Sequence, residues 1–135
     1  MNESITIPGL RLSGSQNARE HWRTRSARVK RERGLARVIC SQNLTKPNAW
    51  PVLVVLTRIG PRWLDTDNLA SSAKAVRDGV ADWLGVDDGD ESKVLWAYEQ
   101  RTGAYAVEVA LQWPVKRVVG VFKGIRCTSI TITDE

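Results

Sequence analysis

Histidine is almost missing from this chain of 135 residues: His21 stands alone beside 15 acids and 20 bases. One imidazole excludes a His-rich zinc site and leaves little from which to build a Ser-His-Asp hydrolase. Cysteine is scarce too. Cys40 and Cys127 lie far apart with no CxxC pair, which excludes a disulfide scaffold and fits a reduced, cytoplasmic setting with both thiols as core residues or bystanders. No run approaches the roughly 18 apolar residues of a membrane span. The opening MNESITIPGL has no basic stretch ahead of an apolar core, so no secretory signal is expected. GxxxxGK[ST] and GxGxxG are both absent, and nothing argues for a nucleotide cofactor. The length fits one domain spanning 1–135.

Charge, by contrast, is plentiful and segregated. From Asn17 to Arg37 there are eight Lys or Arg and two Glu, a net of +6. From Asp65 to Glu91 there are eight acids and two bases, a net of −6, inside a chain whose total is +5. A basic face attracts polyanions, while a tight acid cluster must find cations.

The periodicities predict an α/β protein, α+β in detail, with two main helices packed on a mixed sheet. A first strand is expected at 3–8, ended by Pro-Gly, and a basic helix at 18–41 on which Trp22, Val29 and Ala36 form a thin seam every seven residues. The run PVLVVLTRI at 51–59 reads as a strand buried on both faces, hence the sheet centre. Strands at 93–100 and 104–113 alternate, with Tyr105, Val107, Val109, Leu111 and Trp113 on one side and a hairpin connection at 101–103. The tail 115–135 reads as an extra hairpin or an arm. Trp22, Trp83, Trp96 and Trp113 fit core positions. Trp63, in a loop, fits either a solvated residue or a platform for an unpaired base.

Between Thr66 and Leu84 one continuous helix is expected. At about 100° per residue it buries Leu69, Ala73, Val76, Val80 and Trp83, and presents Asp67, Ser71, Lys74 and Asp78 opposite them. Asp65 falls at the cap, where free N–H groups welcome a carboxylate. Capping explains Asp65 or Asp67, but poorly explains both together with 87-DDGD-90, a turn expected to meet the helix at one end. Three carboxylates brought close repel unless a cation sits among them. Oxygen ligands from Asp suit Mg²⁺, or Mn²⁺ in its place. A calcium loop fits worse, since Ala70 or Lys93 would occupy its obligatory glycine position.

The D-x-D-N-L pattern at 65–69, a lysine on the same helix and a D-D turn leading into a strand resemble the RusA-like Holliday junction resolvases. The opening ITIPG, Asn17 in 15-SQN-17 and the basic first helix extend that similarity over roughly residues 4 to 113. The resemblance implies a homodimeric, Mg²⁺-dependent endonuclease that cuts four-way DNA junctions in symmetric pairs. It puts Asp65, Asp67 and Asp88 in the metal set, with Asp87 and Asp90 as alternatives for the third place. The family lysine follows the second acid by four residues, where this chain has Ser71. Its role passes to Lys74, on the Asp67 face, whose other reading is an i,i+4 partner for Asp78.

For DNA, the basic helix offers Arg19, Arg23, Arg25, Arg28, Lys30, Arg31 and Arg33, and Arg58 and Arg62 flank the loop before Asp65. A solvated basic face is the plainer account of the same residues. Three other functions stay open: a non-catalytic DNA-binding protein, a nuclease for other branched DNA, and a small-molecule metallohydrolase, which would leave the basic helix unexplained.

Overall fold

In the computed structural model the described residues are 1–12, 22–115, 117–119 and 131–133. They form β1 (Asn2–Pro8), α1 (Trp22–Asn43), β2 (Val52–Gly60), α2 (Thr66–Ser72), α3 (Lys74–Leu84), β3 (Val94–Thr102), β4 (Ala106–Gln112), β5 (Arg117–Val119) and β6 (Thr131–Thr133). A four-stranded mixed sheet has the order β1-β4-β2-β3, and β5 pairs with β6 in a separate antiparallel ladder. The fold is α+β, as the periodicities predict.

β2 takes the centre because it is apolar on both sides. Val52, Val54 and Leu56 join the main core against the helices, with Val76, Val80, Trp96, Tyr98, Val107, Val109 and Trp113. Leu53 turns to the other face and packs with Ala97 and Val115. β3 runs parallel to β2 and is reached through α2 and α3, whereas β4 lies antiparallel on the other side of β2. The expected hairpin at 101–103 is therefore corrected. β3 and β4 do not pair; their connection crosses the end of β2, where the Gly103 amide donates to the Gly60 carbonyl at 3.1 Å. Alternation identifies a strand but not its neighbour, and β2 outcompetes β3 as β4's partner because it can be buried on both faces.

The helix expected over 66–84 divides at Ala73, whose amide donates to the Ala70 carbonyl at 3.3 Å, one residue short of helical spacing. The buried stripe survives: Leu69, Ala73, Val76, Val80 and Trp83 all lie in the core. Gly85 ends α3 in the left-handed region at φ 74°, while the Val86 amide returns to the Ala81 carbonyl.

The seam of α1 also differs from the expected one. Trp22 is 66% exposed and Val29 is exposed, and the buried residues are Glu32, Ala36 and Cys40. Small side chains matter here because α3 comes very close. A Cβ on Gly79 would collide with the Arg33 carbonyl and the Ala36 methyl, so this crossing requires glycine. At about 100° per residue Trp22 and Val29 stay on roughly the same side of the helix as Ala36, but Trp22 lies about 20 Å of helix rise before the crossing at Arg33 and Ala36, so direction alone does not bury it. Burial pushes the Cys40 thiol up to about 12, which suits an inert core residue.

Candidate functional site

Asp65 lies just past the C-terminal end of β2 because the intervening loop is clamped. The Gln100 side chain on β3 donates Nε2 to the Leu64 carbonyl at 2.7 Å and accepts from the Leu64 amide at 2.9 Å. Trp63, 57% exposed, donates its indole N–H to Thr102 Oγ1 at 3.2 Å. Neither Gln100 nor Thr102 drew notice in the sequence. Only their even spacing on β3 marks them as neighbours on one strand face.

From this held position Asp65 caps α2. Its Oδ1 accepts the Asn68 amide at 2.8 Å, and its Oδ2 accepts Asn68 Nδ2 at 3.2 Å. Asp67 follows in the first turn, exposed and with no hydrogen bond or ion pair among the described residues. The D-x-D-N sequence thus places two carboxylates at one helix start, with Asn68 orienting the first.

Asp88 is built in differently. The turn after α3 folds back onto the first turns of that helix. Asp88 Oδ2 accepts Arg77 Nε at 2.9 Å and Lys74 Nζ at 3.3 Å, while its carbonyl takes Arg77 Nη2 at 3.1 Å and the Trp96 indole at 2.8 Å. Arg77 reaches on to the Tyr98 hydroxyl at 2.8 Å and lies over the Trp96 ring. Partial burial alone would push the Asp88 carboxyl up. Lys74 and Arg77 outweigh it and hold the pKa below the usual range. Asp88 Oδ1 has no hydrogen bond among the described residues.

Lys74 opens α3 and is shared. Nζ donates to Asp78 at 2.7 Å and to Asp88 at 3.3 Å. The Asp78 bond chiefly raises its pKa, so the ammonium stays charged. Seven residues of α2 separate it from the D-x-D start, about 10 Å of helix rise. Asp87 and Asp90 accept from the Gly89 amide and from Ser92 within their own turn. The expected meeting of turn and helix therefore happens at α3's first turn, beside Lys74 and Arg77. Among the described residues no three His, Cys, Asp or Glu side chains are drawn together closely enough to hold a metal ion.

The arginines divide equally clearly. Arg33 makes a two-pronged bond to Asp82, at 2.6 and 2.9 Å, that fastens α1 to α3. Arg28 pairs with Glu32, which is only 2% exposed, at 3.4 Å. Those two serve the fold. Arg23 lies over the Trp22 ring at 5.1 Å. Arg23, Arg25, Lys30 and Arg31 are exposed on α1, and Arg62 is exposed in the loop. Arg58 lies in β2, within the strand expected at 51–59, but it is buried at 6% exposure rather than solvated. Arg19 and Cys127 lie outside the described residues.

No family model matches the chain. It is similar to a protein of Xylella fastidiosa described as uncharacterized, 38% identical over 95 residues. The match covers 64% of this chain and 60% of that protein, so the chain spans less than two thirds of the relative's length. Among the described residues no helix is long and apolar enough to cross a membrane.

Proposed function

We propose that this chain is a Mg²⁺-dependent endodeoxyribonuclease for branched DNA, resolving four-way junctions as a homodimer. The observation that carries the reading is the company kept by Asp65 and Asp67. Two carboxylates stand at a clamped helix start that follows Arg58 and Arg62 in the chain, and neither arginine forms an ion pair among the described residues. Acids for a cation and bases for phosphates thus share one end of the sheet.

The donor chemistry suits a hard dication. Magnesium is commonly held by one or two carboxylates, waters and substrate phosphate oxygens. Asp65 and Asp67 would supply the pair, with waters and phosphate oxygens completing the shell, because Asp88 is held at the first turn of α3 and is not grouped with them among the described residues. Bound there, the ion would activate water and steady charge developing on the scissile phosphate. Lys74, kept protonated by Asp78 and Asp88, offers a fixed positive charge toward that phosphate. Arg23, Arg25, Lys30, Arg31 and Arg62 draw in the DNA backbone, so affinity falls steeply with salt. Two symmetric cuts call for two sites, which a two-fold dimer provides.

A second reading, a non-catalytic DNA-binding protein, is favoured by Asp65's completed cap and by the cations already on Asp88. Cleavage of a synthetic four-way junction against linear duplex of matched sequence, in Mg²⁺ or EDTA, separates the two. Paired nicks that need metal and disappear in Asp67→Asn are expected. Tight junction binding without cutting in Mg²⁺ or Mn²⁺ would select the binder instead, and faster cutting of flaps would reassign the substrate.

A further inference from the structure

The guanidinium of Arg58 is the least compensated polar group described. It is buried, and Nη1 donates to the Arg62 carbonyl at 2.7 Å. Its Nε is buried with no hydrogen-bond partner. Among the described residues no carboxylate pairs with the guanidinium. Burial depresses the pKa most; Tyr105 pulls it back up in part, and the Arg11 charge depresses it again. Buried donors are nearly always satisfied, so an orphan of this kind marks a missing partner, either a water or an ion. Orientation favours an ion. Because Nη1 is spent on the loop carbonyl, the free side is the Nε–Nη2 edge, the fork by which arginine takes two oxygens of an oxyanion at once.

The surroundings favour an anion as well. Gly60 lies against the guanidinium, and a Cβ there would come within 3.1 Å of Nη1 and Nη2. The strand pairing brings the ends of β1 and β2 together at the start of β4: Pro8 and Ile59 both pair with Ala106. Arg11 lies over the Tyr105 ring, 5.0 Å from its centre, at this same end. Among the described residues two arginines therefore converge without an acid on Arg58, and residues 61–63 beside them are exposed.

We infer that Arg58 and Arg11 form a seat for a tetrahedral oxyanion at the end of β2, with Arg58 presenting its Nε–Nη2 edge. On the nuclease reading, and resting on it for this identity, the oxyanion is a DNA backbone phosphate beside the one cut. The seat positions the strand and takes no part in the bond-breaking step.

The test is binding in EDTA, which keeps it separate from cleavage. Inorganic phosphate is titrated at constant ionic strength while the arginine Nε–H resonances are followed by NMR, with Arg58→Lys identifying the Arg58 signal by its loss. The expected result is a saturable shift of that one resonance. A short single-stranded oligonucleotide should reproduce it, and its uncharged methylphosphonate analogue should not. Arg58→Lys keeps the charge but loses the fork, so its oligonucleotide affinity should fall at least fivefold. An Arg58 resonance that ignores phosphate and oligonucleotide alike would overturn the seat and leave a water as the partner. Cleavage by a protein without the seat would leave the nuclease reading standing. A working seat in a protein that never cuts would refute only that reading.

Discussion

Asp67 and Asp88 look alike in the sequence, both acids in a negative segment, yet the fold treats them differently. Asp67 stands exposed with no partner among the described residues. Asp88 is fastened by Lys74 and Arg77, and through Arg77 to Tyr98 on the central sheet. A carboxylate inside such a network holds structure whatever else it does, because removing it strands its cations. A carboxylate outside one is free to serve a ligand, and its removal costs the fold little.

Stability measurements can break or sharpen that contrast. Asp88→Ala should cost about 2 kcal/mol in urea unfolding, since it leaves Arg77 half-buried beside Trp96 without its charge partner. Asp67→Ala should stay within about 0.5 kcal/mol of wild type. Equal losses would erase the distinction. Asp65 belongs between them: Asp65→Ala should cost about 1 kcal/mol as a lost cap, and Asp65→Asn, which keeps the acceptor, should recover most of it.

The smallest effect is in the acid limb. Lys74 and Arg77 depress the Asp88 pKa, and Arg33 depresses that of Asp82. A carboxylate whose folded pKa lies below its unfolded value contributes stability that is complete above the unfolded pKa, near 4. That contribution is lost as pH falls through the folded pKa. Thermal melts between pH 6 and 2 should therefore fall on the acid side, and more shallowly in Asp88→Asn.

Much of this was legible from the residues. β2 announced its central place by being apolar at consecutive positions, and the 69–83 stripe by its helical period. Trp83, Trp96 and Trp113 are buried as expected, and Trp22 is not, because nothing in a seven-residue spacing says where a straight helix touches its neighbour. The close crossing at Gly79 has no periodic signature either; it depends on a backbone 46 residues earlier in the chain. Asp65 could be placed at a helix cap from its local context. The Gln100 clamp that fixes it, and the fold-back that gives Asp88 to Lys74 and Arg77, depend on which strands become neighbours. Arg58 falls in the expected strand, but beside Gly-Pro its charge reads equally well as solvated, and only the sheet register buries it.

The measurement that bears most directly on the central claim is the single-turnover rate of junction cleavage in Mg²⁺ for wild type and Asp67→Asn, with a melt of each protein. The account predicts at least a hundredfold loss of rate in the variant, with unchanged melting and unchanged junction affinity in EDTA. A variant that cuts as fast as wild type would contradict it, and would make the acids at the start of α2 a cap and a solvated neighbour.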